Sequence, residues 1–479
     1  MMDTNNLLAV ILIITSVINV VFQIPNTAFA QQEFNNSGTT ESVTSAYDAI
    51  IKSILIISQA SILGITFNHV FFQKITKKKN NQTCDEENEY NKCNNQLLKR
   101  FTIILALCCI TIIIASTGIM LIQSYELSQN LSQDLFSAFS ILYTTSVGQV
   151  WTIRIITSLT ITALVFSHYI VKRNSIKKKI NGNSTQQKGG KTFNTIATLL
   201  SLGIIVVSSI NLFSNSMLSH SNSLSSLAVS VDWVHFMSVS IWIGGLFYLS
   251  SIFLKSIRSS INESAKSTDD ESDIKNSILK THQISFSLMC FSFIAITSLC
   301  IIGTTGLYMS LIHLQSLDAI FTTLYGQILI IKLGLAFTVI FFGRYNQLKI
   351  QKYAAITSKV IIGNSINNND PKPFLGHNKK RSDFFNSIHR SLKIESLIGI
   401  SVLIVASFLS VTSPPSLETS SPDSNLNNNT NLTDNANKEI NPDLTIVVII
   451  LSAIIIIFGI VNFRKNRQQI KDIFPPFSR

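Results

Sequence analysis

Apolar residues in this chain come in long blocks, not at alternate positions. Nine stretches, at about 50–72, 101–122, 150–171, 193–213, 232–253, 285–310, 326–343, 395–412 and 444–463, run for roughly 20 residues each with few charges. That is the length a helix needs to cross a hydrocarbon core about 30 Å thick. Strands of a membrane barrel would alternate in polarity every second residue, and these stretches do not. The pattern predicts an all-α, polytopic transmembrane helix bundle of about nine spans. A further apolar run, 7–24, precedes Pro25 and the small-residue pattern Ala28-Phe29-Ala30. It predicts a signal-like segment over 1–30, either a cleaved signal peptide or an uncleaved first helix, and then a short outer segment, 31–49.

The loops between blocks alternate in charge. The first carries Lys74, Lys77, Lys78, Lys79, Lys92, Lys99 and Arg100, whereas 123–149 carries no Lys or Arg. Basic loops follow at 172–191, 254–282 and 344–393, with Lys-free and Arg-free loops at 214–231 and 311–325; 412–443 holds only Lys438, and the tail holds Arg464, Lys465 and Arg467. Cytoplasmic loops are the ones enriched in Lys and Arg. A multi-pass protein of the cytoplasmic membrane is therefore expected, with the mature N-terminus outside and the C-terminus inside. Along the chain the organisation reads as a four-helix half (50–213), a second helical domain (214–415), a disordered Asn/Ser-rich outer linker (416–443) and an extra span with a basic tail (444–479). The linker carries two glycosylation sequons, Asn428-Asn429-Thr430 and Asn431-Leu432-Thr433.

Composition agrees with the bilayer as the partner: 46% of residues are hydrophobic and 13% charged. The net charge of +12 sits in short tracts flanking apolar blocks, so nucleic acid is not an expected partner. Of the six cysteines, Cys108, Cys109, Cys290 and Cys300 fall inside apolar blocks, which argues against a disulfide framework. Cys84 and Cys93 share a basic loop but lack the tight spacing of a metal knuckle.

Ionisable side chains inside a membrane cost a few kcal/mol and ask for a reason. The densest group surrounds the fifth span. Asp232 and His235 are one helical turn apart, Trp242 follows on the same stripe, and Met237 lies on the adjoining turn. The loop before it supplies Met217 and His220, which share a face if the fourth helix reaches that far. Met309 and His313 stand at the outer end of the sixth span. Imidazole and thioether suit copper, and a carboxylate adds charge for a divalent ion; equally, interfacial His, Asp and Trp meet headgroups, and Met packs. Arg154 and Lys332 are intramembrane cations that either snorkel to phosphates or counterbalance a carboxylate. Gly244 and Gly245 permit close helix approach.

The stretch VDWVHFMSVSIWIGGLFYL (231–249) resembles the signature helix of the copper resistance protein D (CopD) family, with its Asp, His and Trp-x-Gly-Gly elements. TTGLY (304–308), YGQILIIKLGL (325–335) and the run from RSLKIESLIG to TSPP (390–415) are similar to later elements of that family, and TSVGQVWTIRI (145–155) with Ser219-His220-Ser221 to earlier ones. The resemblance implies an eight-helix copper-handling membrane protein for copper uptake or tolerance, working with a separate extracytoplasmic CopC-type copper-binding protein. Carried over by position, it implicates His220, Asp232, His235, Trp242, Gly244, Gly245 and Lys332. The ninth span falls outside the pattern. The main expectation is a non-enzymatic copper transporter that holds copper through His220, Asp232, His235, Met217, Met237, Met309 and His313. The alternatives are a b-haem oxidoreductase using His69 and His168, for which no supporting motif is seen so that haem is expected absent, and a copper chaperone or assembly factor that does not translocate.

Overall fold

The computed structural model describes residues 46–77, 87–180, 187–220, 222, 225–256, 271–314, 316, 318–366, 375–418 and 442–473. The leader segment 1–30, the sequons and Cys84 lie outside the described residues. Every regular element among them is helical: α1 (Ala46–Lys77), α2 (Glu87–Leu131), α3 (Leu135–Thr144), α4 (Ser146–Ile180), α5 (Gln187–Met217), α6 (Ser226–Phe247), α7 (Glu271–Leu314), α8 (Ala319–Thr322), α9 (Leu324–Ile366), α10 (Leu375–Leu409), α11 (Pro415–Glu418) and α12 (Pro442–Ile473). Nine of these described helices, all except α3, α8 and α11, are long and apolar enough to cross a membrane, in the nine places the apolar blocks mark.

The helices overrun the apolar blocks at their ends. α2 continues past 122 to Leu131, because nothing in Leu121–Leu131 is a Gly or Pro that would stop it. It breaks at Ser132, which has a φ of 53°. The Asp134 carboxylate then accepts from the Phe136 N–H at 3.2 Å and starts the short α3. Most of the loop expected over 123–149 is therefore helix.

α1 is the central helix and packs on α2, α5, α6 and α10, so one apolar core runs through both halves of the chain. Its crossing with α6 is at Gly64 and Gly244. A Cβ on Gly244 would lie 2.7 Å from the Gly64 Cα, and one on Gly245 would lie 2.6 Å from the Phe291 ring. Only glycine lets these backbones meet so closely. α6 then passes into a single π-helical turn, Tyr248–Phe253. α12 rests on α7, with Gly459 against Cys300 and Gly303 against Ile455. Its other faces, with Ile449, Ile457 and Phe458 all more than half exposed, are the surface a lipid-facing helix shows.

Candidate functional site

At one end of the bundle, the end holding the α5–α6 and α7–α9 connections, polar side chains from six segments converge. α5 stops at Met217, and the chain turns through Leu218 N–H to Asn215 O (3.1 Å) and Asn222 N–H to Ser219 O (3.0 Å). The Ser- and Asn-rich run 214–226 favours such turns over helix. Met217 and His220 therefore do not share a helical face, since His220 sits in the turn. α6 restarts at Ser225, whose hydroxyl accepts from the Ala228 N–H at 3.1 Å.

Asp232, one and a half turns into α6, is buried, and its carboxylate accepts from Ser219 Oγ at 3.0 Å. The charged groups acting on it are Lys332 of α9 and Lys52 of α1, and the Tyr325 hydroxyl also feels it. Lys52 Nζ donates to the Ser410 carbonyl at 3.2 Å, so it ties α1 to the end of α10. Lys332 is half-buried and acts on His235 too. Its place is beside the carboxylate, not a snorkel to the surface.

His235 points toward α7. His235 Nδ1 lies 2.9 Å from Thr305 Oγ1, whose hydroxyl donates to the Ile301 carbonyl at 2.6 Å, and the Ile302 carbonyl also accepts from the ring. Gly306 makes room for the ring: a Cβ there would stand 3.4 Å from His235 Cε1. His313 is 5% exposed, and its Nδ1 has no hydrogen-bond partner among the described residues. Its ring centre lies 6.1 Å from that of Tyr325, and its electrostatic neighbour is His220. Burial, then the nearby Lys52, push the His220 imidazole down to about 4 against a small opposing hydrogen bond at Thr412. His220 is neutral at pH 7, and a lone pair is present for a metal or donor.

The structure thus brings together His220, His313, Asp232 and Lys332, with His235 one turn deeper. Met309 lies one turn from His313 on the same face of α7. Met237 does not join them, because its sulfur accepts from Ser209 Oγ at 3.3 Å on α5, about two turns from that helix's end. Trp242 is buried in the core deeper along α6. Arg154 does not snorkel: it is 2% exposed, donates to Ser214 Oγ and Asn215 Oδ1 at 2.8 Å each, and lies 4.2 Å over the Trp151 ring. It locks α4 to the end of α5, the segment from which the His220 turn departs. Among the described residues no three His, Cys, Asp or Glu side chains stand close enough to hold one ion. Lys52 and Tyr325 were missed by sequence reasoning, although Lys52 is an intramembrane cation of the same kind as Lys332.

At the opposite end His69 and His168 approach with ring centres 6.3 Å apart. The His69 nitrogens meet Tyr248 Oη at 3.2 Å and Gln73 Nε2 at 2.6 Å, and Phe101 stacks on its ring at 4.1 Å.

Residues 287–409 match the family model described as Copper resistance protein D. That range holds Met309, His313, Tyr325 and Lys332. A 190-residue segment, 40% of this chain, is 28% identical to the copper transport protein CutJ of Bacillus subtilis (strain 168), and the match spans 26% of that relative's length. No solved structure matches. With nine bilayer-length helices among the described residues, this chain is a multi-pass, copper-related membrane protein that is similar, over residues 287–409, to the copper resistance protein D family.

Proposed function

We propose that this chain carries copper ions across the cell membrane, admitting them at the His220 end, which faces outside. The observation that carries the reading is His313: a buried imidazole whose Nδ1 has no partner among the described residues, next to a second imidazole, His220. A buried, unsatisfied nitrogen costs about 1–3 kcal/mol, and a metal ion relieves that cost. Two imidazoles suit copper in either oxidation state, the Met309 thioether favours the reduced ion, and Asp232 supplies charge at the next level. Before an ion arrives, Lys332 and Lys52 answer the Asp232 charge; an incoming cation competes with them. His235 is the next imidazole along α6.

The sequence holds no nucleotide-binding GxxxxGK[ST] motif. Cation entry is instead favoured by the membrane potential, by about 2.3 kcal/mol per charge per 100 mV. A separate CopC-type protein is the donor this reading calls for. It calls for no haem, since both His69 ring nitrogens already meet side chains, Tyr248 Oη and Gln73 Nε2.

The test is copper titration of purified protein with His220→Ala, His313→Ala and the double variant. Each single change is expected to weaken affinity by tenfold or more, about 1.4 kcal/mol. The double should lose little beyond either single, because both remove the same ion. Unchanged affinity in the double variant sinks the reading. Copper uptake into vesicles separates a transporter from a chaperone or assembly factor, which would bind copper and leave the lumen empty.

A further inference from the structure

α10 carries an acidic residue inside its membrane span that the copper reading does not use. Glu395 is 3% exposed. At about 1.5 Å per residue it lies about 21 Å of helix from Leu409, at the His220 end, and about 13 Å from Asn386. Its carboxyl lies directly on the backbone of α9. A Cβ on Gly343 would stand 2.9 Å from Glu395 Oε1, while Glu395 Oε2 accepts from Asn346 Nδ2 at 2.7 Å.

Two features of this pair need explaining together. First, the amide of Asn346 is the polar group acting on the carboxyl. Of the charged and titratable side chains on the packed elements, Arg344 meets Gln347 Oε1, Lys349 Ser387 Oγ, Tyr248 His69, and His389 the Ser250 carbonyl, and none of the groups acting on Glu395 is a cation. An ionised carboxylate buried without a cation is among the costliest things a protein can hold. Second, Asn346 is itself 2% exposed, and its Oδ1 has no hydrogen-bond partner among the described residues. It is an acceptor left without a donor.

One proton answers both. Placed on Glu395 Oε1, it neutralises the carboxylate and donates to Asn346 Oδ1, while Asn346 Nδ2–H continues to donate to Oε2. The acid and the amide then close a ring of two hydrogen bonds with every polar atom satisfied. Loading takes one proton from water and turns the carboxylate into a neutral acid; unloading returns the carboxylate and one proton to water. We propose that Glu395 and Asn346 form an intramembrane proton-binding site, seated on Gly343 in the half of the bundle away from His220. Its role, which rests on the copper reading above, is to move protons against copper: a charge passing the buried carboxylate is met by release of the proton.

Infrared spectroscopy of the full-length protein in lipid vesicles, without copper, tests the site. A protonated carboxyl has its own C=O stretch, separate from carboxylate and amide bands. Wild type should show such a band across mildly acid to neutral pH. Glu395→Gln should lack it, and Asn346→Leu, which leaves the acid but removes its ring partner, should shift it. Gln at 395 can still pair with the Asn346 amide, so that variant keeps its fold. No band lost in Glu395→Gln means no proton is held there, and the proposal fails whatever copper does. The coupling is read separately, with a pH dye inside copper-loaded vesicles. Proton movement that accompanies copper uptake in wild type and falls several-fold in Glu395→Gln supports it; equal proton movement in both overturns it. A wild type that takes up no copper while keeping the infrared band refutes the transport reading alone.

Discussion

The crossing of α1 and α6 gives the sharpest test of how this bundle positions its site. In Gly64→Ala the new methyl would meet the Ser240 carbonyl oxygen and lie 2.6 Å from the Gly244 Cα; in Gly244→Ala it would lie 2.7 Å from the Gly64 Cα. Non-bonded carbons rest at about 3.5–4.0 Å, so the two backbones must part by about 1 Å. The atoms met are backbone on both sides, with no flexible end to swing away. Overpacking of this kind costs about 1–3 kcal/mol, and stretching the Asn68 Nδ2 bond to the Ile241 carbonyl, now 3.0 Å, adds about 1 kcal/mol. Alanine's better helix propensity returns up to about 1 kcal/mol. Each single variant should therefore lose about 2 kcal/mol, read as a lowered Tm in detergent. The double should lose less than the sum, because the first methyl has already opened the contact. Lys52 and Asp232 sit equally far from the crossing, about 18 Å along their helices, so parting the helices also widens their spacing and weakens copper binding. Gly118 and Gly334 have nothing within 4 Å of an added Cβ, and alanine there should be harmless. Wild-type Tm in both crossing variants, or an equal loss in the two controls, refutes the reasoning.

The His220 imidazole, held at about 4 by burial and Lys52, should keep its part in copper affinity from pH 7 down to about 5 and lose it around pH 4. An ordinary imidazole would fail below about 6.5, and a midpoint there in a copper titration would contradict the assignment. The unfolded chain takes that proton near 6.5 and the folded chain near 4, so the stability tied to His220 is full above 6.5 and is lost as pH falls toward 4. Arg154→Met should lower stability by about 1–3 kcal/mol, because Asn215 Oδ1 loses its donor. Arg154→Lys should not restore it fully, since one ammonium cannot serve Ser214, Asn215 and the Trp151 face together; equal melting of wild type and both variants would refute this. Purified protein should show no Soret band, and His168→Ala should leave copper uptake intact; stoichiometric haem would revive the oxidoreductase reading.

The spans were legible because block hydrophobicity of bilayer length has few other uses, and all nine candidate spans fall on the blocks. Helix ends were not, since a membrane helix runs on into water wherever Gly, Pro or Ser clusters do not stop it, as α2 does through 123–131. For the site, the one-turn spacing of Asp232 and His235 was visible, but their partners were not. Which residue of α9 faces α6 depends on packing, so the use of Lys332 as the neighbour of Asp232, and of Thr305 as the neighbour of His235, appears only in three dimensions. Met237 illustrates the reverse. Two residues after His235 it occupies the far side of α6 and binds Ser209 on α5, a separation the 3.6-residue period already contained. Arg154 misled because snorkelling and burial look alike in sequence; the difference lies in Ser214 and Asn215, far along the chain.

The charges along the bundle suit a cation that must enter yet not stay. At the His220 end one carboxylate, Asp232, faces two lysines, so the empty site carries its own counterions and no lone buried charge. A cation held by neutral imidazoles replaces a lysine instead of filling a vacant negative pocket, and what it gains is the difference between two interactions. That difference is small compared with the full attraction of a buried carboxylate for a cation, and a small gain permits release. The next imidazole, His235, is held in place against α7 by Thr305 and the Ile302 carbonyl. A ligand that is neutral and already oriented can pass an ion on without rearrangement. Deeper still, Glu395 is paired with the Asn346 amide and not with a cation, so a positive charge descending between α6, α9 and α10 meets the proton-holding acid, which can answer it by releasing its proton, only after leaving the lysines behind.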